Sequence, residues 1–172
     1  GIVTECLGAE TRGDILLRLV ARGCLVAAIV AGLVALHAAE PKSAHHSMLV
    51  HGIADETGHL LTALLLGIGA RSLRLPIPLW SFLIGGIVLD FGHVLTQLDV
   101  TSPIAGSSRD GSHSLVAVVG IALIGFVDAR RANVWLGVAL GAVTHLVRDM
   151  GTGTVPLLWP FSTAVEATSF TR

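Results

Sequence analysis

The chain has 172 residues, of which 52% are hydrophobic and 13% charged, with a mean hydropathy of +0.76. Soluble domains carry roughly 25% charged residues, so this composition excludes an ordinary water-soluble domain and points to an integral membrane protein. A net charge of −1, 5% aromatic residues and no Tyr exclude the basic field and stacking platforms of a nucleic-acid binder.

Five apolar segments follow one another, at about 14–38, 58–70, 78–98, 112–127 and 133–150. Each is rich in Leu, Ala, Val and Gly and none alternates as a strand does. The expectation is therefore all-α: a polytopic transmembrane bundle of about five helices, because a spanning segment must satisfy its own backbone hydrogen bonds. Segments two and four hold about 15 residues, roughly 22 Å of helix, where a span needs about 20. Either their helices run on into polar flanks or their ends surround a polar pocket. The first segment has Arg12, Arg18 and Arg22 ahead of its apolar core. It reads as an uncleaved helix rather than a signal peptide, for want of a clear small-x-small cleavage site. Residues 1–50 then form an N-terminal helix and outer linker, and 51–172 a four-helix unit. Cys6 and Cys24 have no CxxC or finger spacing, which argues against a disulfide framework or a structural zinc finger.

With five spans, Arg12, Arg18, Arg22, Arg71, Arg74, Arg130 and Arg131 share one side. Lys42, Arg109, Arg148 and Arg172 fall on the other. The positive-inside rule makes the first side cytoplasmic. His59 opens the second segment. Asp90 and His93 close the third, His113 opens the fourth, and His145 and Asp149 close the fifth. These six residues come to one level, on the extracytoplasmic side of a bacterial-type plasma membrane. The pairs Asp90/His93 and His145/Asp149 are three and four apart, each on one helix face. Bundles build metal sites from such pairs on facing helices, and ionisable groups in membrane helices need partners or a function. An Asp/His network without metal, and a proton relay, are the alternatives. His37, His45, His46 and His51 fall in a polar stretch and read as solvated or interfacial. His51, Asp55 and Glu56 lie near enough to His59 to add a ligand. Ser112 reads as the N-cap of the fourth helix.

Residues from about 58 to 160 resemble the YdjM-type membrane-bound, metal-dependent hydrolases. That family shows a His opening an apolar helix, a PDxDH-like element, HRGxTHS, and HxxxD followed by a VPLLWP-like tail. Here the elements read GHLLTALLLG, LDFGH, RDGSHS and THLVRDMGTGTVPLLWP. The resemblance implies metal ligation by His59, Asp90, His93, His113, His145 and Asp149, with Arg109 beside them, and a distant similarity to zinc-dependent phospholipase C. Gly92 stands where the family's element has its second Asp, and Ser108 where it has the first His of HRGxTHS. Asp110 or a His of the 45–51 stretch is the candidate to compensate.

Imidazole and carboxylate ligands suit Zn²⁺ first, as one or two ions, with Mn²⁺ or Fe²⁺ next. Such ions acidify water to a pKa near about 7 and draw charge off a phosphoryl oxygen. Asp90, read as mid-helical and deepest, is the expected bridging ligand or base, and Arg109 the expected phosphate contact. The function expected is a metal-dependent hydrolase of a phosphoester in a lipid or lipid-linked substrate. A catalytically silent subunit of a membrane protein complex is the second reading, and a proton or metal-ion carrier the third. Membrane lipids are the expected partners, and nucleic acid is not one.

Overall fold

A computed structural model describes residues 12–39, 48–93, 109 and 111–164. Among these the chain is all-helical. It comprises α1 (Arg12–Ala39), α2 (Met48–Ser72), α3 (Leu79–Val88), α4 (Leu115–Val127) and α5 (Ala132–Thr152), with a short 3₁₀ turn at Ala129–Arg131 leading into α5. His45, His46, Ser108, Asp110, Cys6 and Lys42 lie outside the described residues.

The helices α2 to α5 form the unit that positions the site, and α5 lies at its centre, packed most closely on α3 and then on α4 and α2. Small residues permit this. A Cβ on Gly85 would run into the Val138 carbonyl and come within 2.8 Å of the Gly141 Cα; one on Gly141 would strike the Phe82 carbonyl; one on Gly137 would strike the Ser81 hydroxyl. Gly137 and Gly141 are four apart, so both lie on the α5 face that meets α3. Backbones approach where side chains are missing, as at membrane helix interfaces. On the other flank, a Cβ on Gly86 would sit 2.9 Å from the Ala63 Cβ, which brings α3 just as close to α2. Two apolar clusters fill the remaining space. Leu89, Val118, Ala139, Ala142 and Leu146 join α3, α4 and α5. Ala63, Ala70, Ile77 and Phe82 join α2 and α3.

The helices α3 and α5 run parallel, and each is antiparallel to its chain neighbour, α2 or α4. Ser81 at the start of α3 meets Gly137 early in α5, while Gly85 meets Gly141 further along it. The end of α2, the start of α3, the end of α4 and the start of α5 therefore share one end of the bundle. Arg71, Arg74, Arg130 and Arg131 are there. The other end collects the start of α4, the ends of α3 and α5, and His59.

Three expectations are corrected. No helix among the described residues is long and apolar enough to cross a membrane, against the five spans expected. The reason is geometric at α3 and α4: 10 and 13 residues make roughly 15 and 20 Å of helix against a hydrocarbon core of about 30 Å. Segment three does not continue as α3 through residue 98, because α3 ends at Val88 and the chain turns at Leu89 and Asp90. Conversely, α2 begins at Met48, ten residues ahead of the expected start, and its first half carries His51, Asp55, Glu56 and His59.

Candidate metal centre

Four elements deliver the six residues to one place. His59 comes from the middle of α2, Asp90 and His93 from the turn and helical residues after α3, His113 from the turn before α4, and His145 and Asp149 from the last two turns of α5. Four of the side chains are fully enclosed: His59 at 1% exposure and His113, His145 and Asp149 at 0%. Asp90 is 13% exposed and His93, at the rim, 37%.

The nitrogens and carboxylate oxygens form two adjoining groups. His59, His145 and Asp149 offer ligand atoms within 4.8 Å of one another, as do Asp90, His93 and His113. Asp149 lies 3.3 Å from His59 Nε2 through Oδ1, and 3.2 Å from His145 Nε2 through Oδ2. Asp90 Oδ1 lies 3.3 Å from His93 Nε2 and 3.2 Å from His113 Nε2. The groups are joined by Asp90 Oδ2 to His145 Nε2 at 3.4 Å and Asp149 Oδ2 to His113 Nε2 at 3.5 Å. Both aspartates thus face both groups, which is the arrangement of two carboxylates able to bridge a pair of ions.

The donor set fits a metal on an observation independent of its composition. His59 Nε2, His145 Nε2, Asp90 Oδ2 and Asp149 Oδ2 are buried and make no hydrogen bond. Unpartnered buried polar atoms cost about 1–3 kcal/mol each, and here they converge on one space. Cations bound there by His nitrogen and carboxylate oxygen would satisfy them together.

Neighbouring groups fix the imidazole tautomers. His145 Nδ1 lies 2.7 Å from the Gly86 carbonyl oxygen, which accepts only, so Nδ1 carries the proton and Nε2 presents its lone pair to the centre. Ser112 Oγ donates to the Leu89 carbonyl at 2.8 Å, which leaves it to accept from His113 Nδ1 at 3.1 Å. His113 Nε2 then also points inward as a lone pair. In metal sites, partners of this kind orient the ligating histidines. Ser112 accordingly is not the helix cap. Ser114 is, accepting from the Ala117 amide. Replacing Ser112 with Ala is expected to weaken zinc binding by about 10–100-fold with helix content unchanged, as read by chelator competition beside circular dichroism.

Arg109 is placed against the centre. Its Nη2 donates to Asp149 Oδ1 at 2.9 Å and lies 3.5 Å from Asp55 Oδ2. Burial works against its charge, but Asp149 and Asp55 more than offset this and hold the guanidinium firmly protonated. Burial likewise disfavours ionised Asp90, yet His113 and His93 hold its carboxyl far below the usual carboxylate range. Asp149, not Asp90, is the deepest carboxylate, because Asp90 leaves the helix for a turn at the mouth. Asp55 matters more than the sequence reading allowed: it approaches His59 Nε2 at 3.6 Å and Arg148 Nη2 at 3.6 Å. Its signal was available, since Asp55 and His59 are four apart, as are His145 and Asp149. The carbonyl of Gly86 carried no such signal.

The tail after α5 closes one side. The Leu115 amide donates to the Leu157 carbonyl at 2.8 Å, Val155 and Pro156 are buried, and the Trp159 ring lies so close to Gly111 that a Cβ there would meet it at 2.5–2.7 Å.

With this geometry in hand, residues 54–171 match the YdjM inner membrane protein family. The chain belongs to the YdjM family. Membership makes it a membrane protein. The outer face of α4 suits that setting, since Leu115, Val119, Leu123, Ile124, Phe126 and Val127 are all exposed, a contiguous apolar surface of the kind that soluble monomers rarely show. No curated protein and no solved structure matches the chain. The YdjM match takes in every residue of the centre and leaves α1 outside it.

Proposed function

We propose that the protein is a metal-dependent hydrolase that cleaves a phosphoester of a lipid or lipid-linked substrate. The observation that carries this is the convergence of six buried or half-buried His and Asp side chains, four of which, His59, Asp90, His145 and Asp149, present a buried atom with no hydrogen-bond partner among the described residues. His59, His145 and Asp149 would hold one ion and Asp90, His93 and His113 a second, zinc being the first choice. Bound ions of this kind supply Lewis acidity and a water acidified toward neutrality. The protein's own part is to hold the donors in one tautomer, to exclude bulk water with the Val155–Pro160 tail, and to place Arg109 at the edge. A guanidinium there attracts a phosphoester and steadies Asp149 at once.

A second reading, a catalytically silent membrane subunit with a structural metal, draws on one observation: Gly92 occupies the position of a family carboxylate. The test separates the two. Purified protein loaded with zinc is expected to release nitrophenol from bis(p-nitrophenyl) phosphate, to stop on chelation and to resume when Zn²⁺ or Mn²⁺ is restored. Bound metal with no turnover of any phosphoester offered would favour the silent subunit.

The arginine end of the bundle is assigned to the cytoplasmic leaflet, whose anionic lipids attract such residues, and the centre to the opposite face. In a background lacking Cys6 and Cys24, cysteine at Ser162 should react with an impermeant maleimide in intact cells and cysteine at Arg130 should not. The reverse pattern would move the centre to the cytoplasmic side.

A further inference from the structure

Beside the centre, between α2 and α3, lies an open groove of about 590 Å³, within the range of small-molecule sites, about 300–1,000 Å³. Its walls are Leu60, Ile84, Ile87, Val88 and Phe91, and the carboxylates of Glu56 and Asp90 also line it. Ile84, Ile87 and Phe91 are 41–63% exposed, so large apolar side chains stand uncovered within two turns of a metal-centre aspartate. An apolar surface meant only to face lipid tails has no use for carboxylates, which are expensive in that setting. A surface meant only for water has no use for five apolar walls. An occupant with a hydrocarbon chain and a polar head satisfies both.

We propose that this groove receives the hydrocarbon chain of the substrate, which enters sideways from the membrane and lays its phosphoester on the metal centre past Asp90. The proposal rests on the reading of the centre as a phosphoesterase and adds the substrate's other half. Charge argues for the same direction of entry. Asp90 would repel a phosphate on its own, so the anionic head is accepted only where the cations held by Asp90 and its histidines offset it. The chain then lies away from the centre, along Ile84 and Ile87. Membership in an inner membrane protein family sets the chain among such amphiphiles.

The test uses binding, so that it does not depend on turnover. Zinc-loaded protein in detergent is titrated calorimetrically with octylphosphonate and with methylphosphonate, which share a head and differ in chain. Octylphosphonate is expected to bind at least about tenfold tighter, tenfold being 1.4 kcal/mol. Ile87→Trp and, separately, Ile84→Trp should remove that advantage while methylphosphonate affinity and zinc content stay as in the wild type. Both positions are partly exposed, so the larger ring fills the groove without entering the core. Val119→Trp, on the outer face of α4, should change nothing. Equal affinity for the two phosphonates, or an octyl advantage that survives both substitutions, overturns the proposal. So does a benzophenone amino acid at Ile87 that cross-links to the protein's own chain or a second copy instead of lipid. An octyl preference in a protein that hydrolyses no phosphoester leaves the groove assigned and sinks the hydrolase reading alone.

Discussion

His145→Ala is expected to strip the protein of most of its metal while leaving it in the membrane. The imidazole is fully buried, its Nε2 lies within 3.2–3.4 Å of a carboxylate oxygen from each aspartate, and its Nδ1 is held by the Gly86 carbonyl. The substitution therefore removes the donor at the junction of the two groups and takes the His145 N–H from the carbonyl of Gly86. Loss of an orienting neighbour alone costs about 10–100-fold in metal affinity. Loss of the shared donor should exceed that, and elemental analysis of dialysed protein should fall from one or two ions per chain to well under one. Asp149→Asn is the milder partner variant, because it keeps an acceptor oxygen and the side-chain volume and gives up the charge that Arg109 and a cation share. It should lower affinity with less loss of thermal stability. If His145→Ala retains full metal content, His145 is not a ligand and the centre must be redrawn without it.

Gly141→Val is expected to prevent stable folding. The added Cβ would meet the Phe82 carbonyl and the Gly85 Cα, which are backbone atoms and cannot rotate aside. Overpacking typically costs about 1–3 kcal/mol and occasionally more, and total stabilities are about 5–15 kcal/mol. Here the clash also pushes α3 off α5, and α3 carries Gly86 and leads to Asp90, so metal binding should fail with the packing. Gly23→Val is the control: a Cβ at Gly23 meets nothing within 4 Å. The measurements are thermal melting and zinc content. A Gly141→Val protein that melts within a few degrees of wild type would show that the α3–α5 contact is looser than described.

The gathering of the six His and Asp residues at one end of the bundle was legible in the sequence, because spacings of three and four residues and alternating chain direction are properties of order alone. The spacings of Asp90/His93 and His145/Asp149 by themselves put each pair on one helix face. Local breaks were not legible. Hydropathy continues through Leu89 and Phe91, so the turn that takes Asp90 out of α3 leaves no polar mark. Its cause is tertiary: Leu89 joins the cluster with Val118 and Leu146, and its carbonyl takes the Ser112 hydroxyl. The same contact moved the capping role from Ser112 to Ser114, two serines alike in propensity and different in surroundings. The start of α2 was hidden for the opposite reason. Polar residues such as Asp55, Glu56 and His59 looked like linker, because the partners that let them lie in a helix, Arg109, Arg148 and Asp149, come from far along the chain.

That distance has a consequence in time. His59 is made early and is in place once α2 has formed, but its companions in the first group, His145 and Asp149, lie about ninety residues further on, in α5. Until α5 is synthesised and docked on α3, the chain can assemble only the group of Asp90, His93 and His113, one member of which stands at the rim. If each group holds an ion, their joint capture is therefore a late event of biogenesis. It would complete the bundle rather than seed it, and a chain arrested before α5 should hold at most one ion, however much zinc surrounded it.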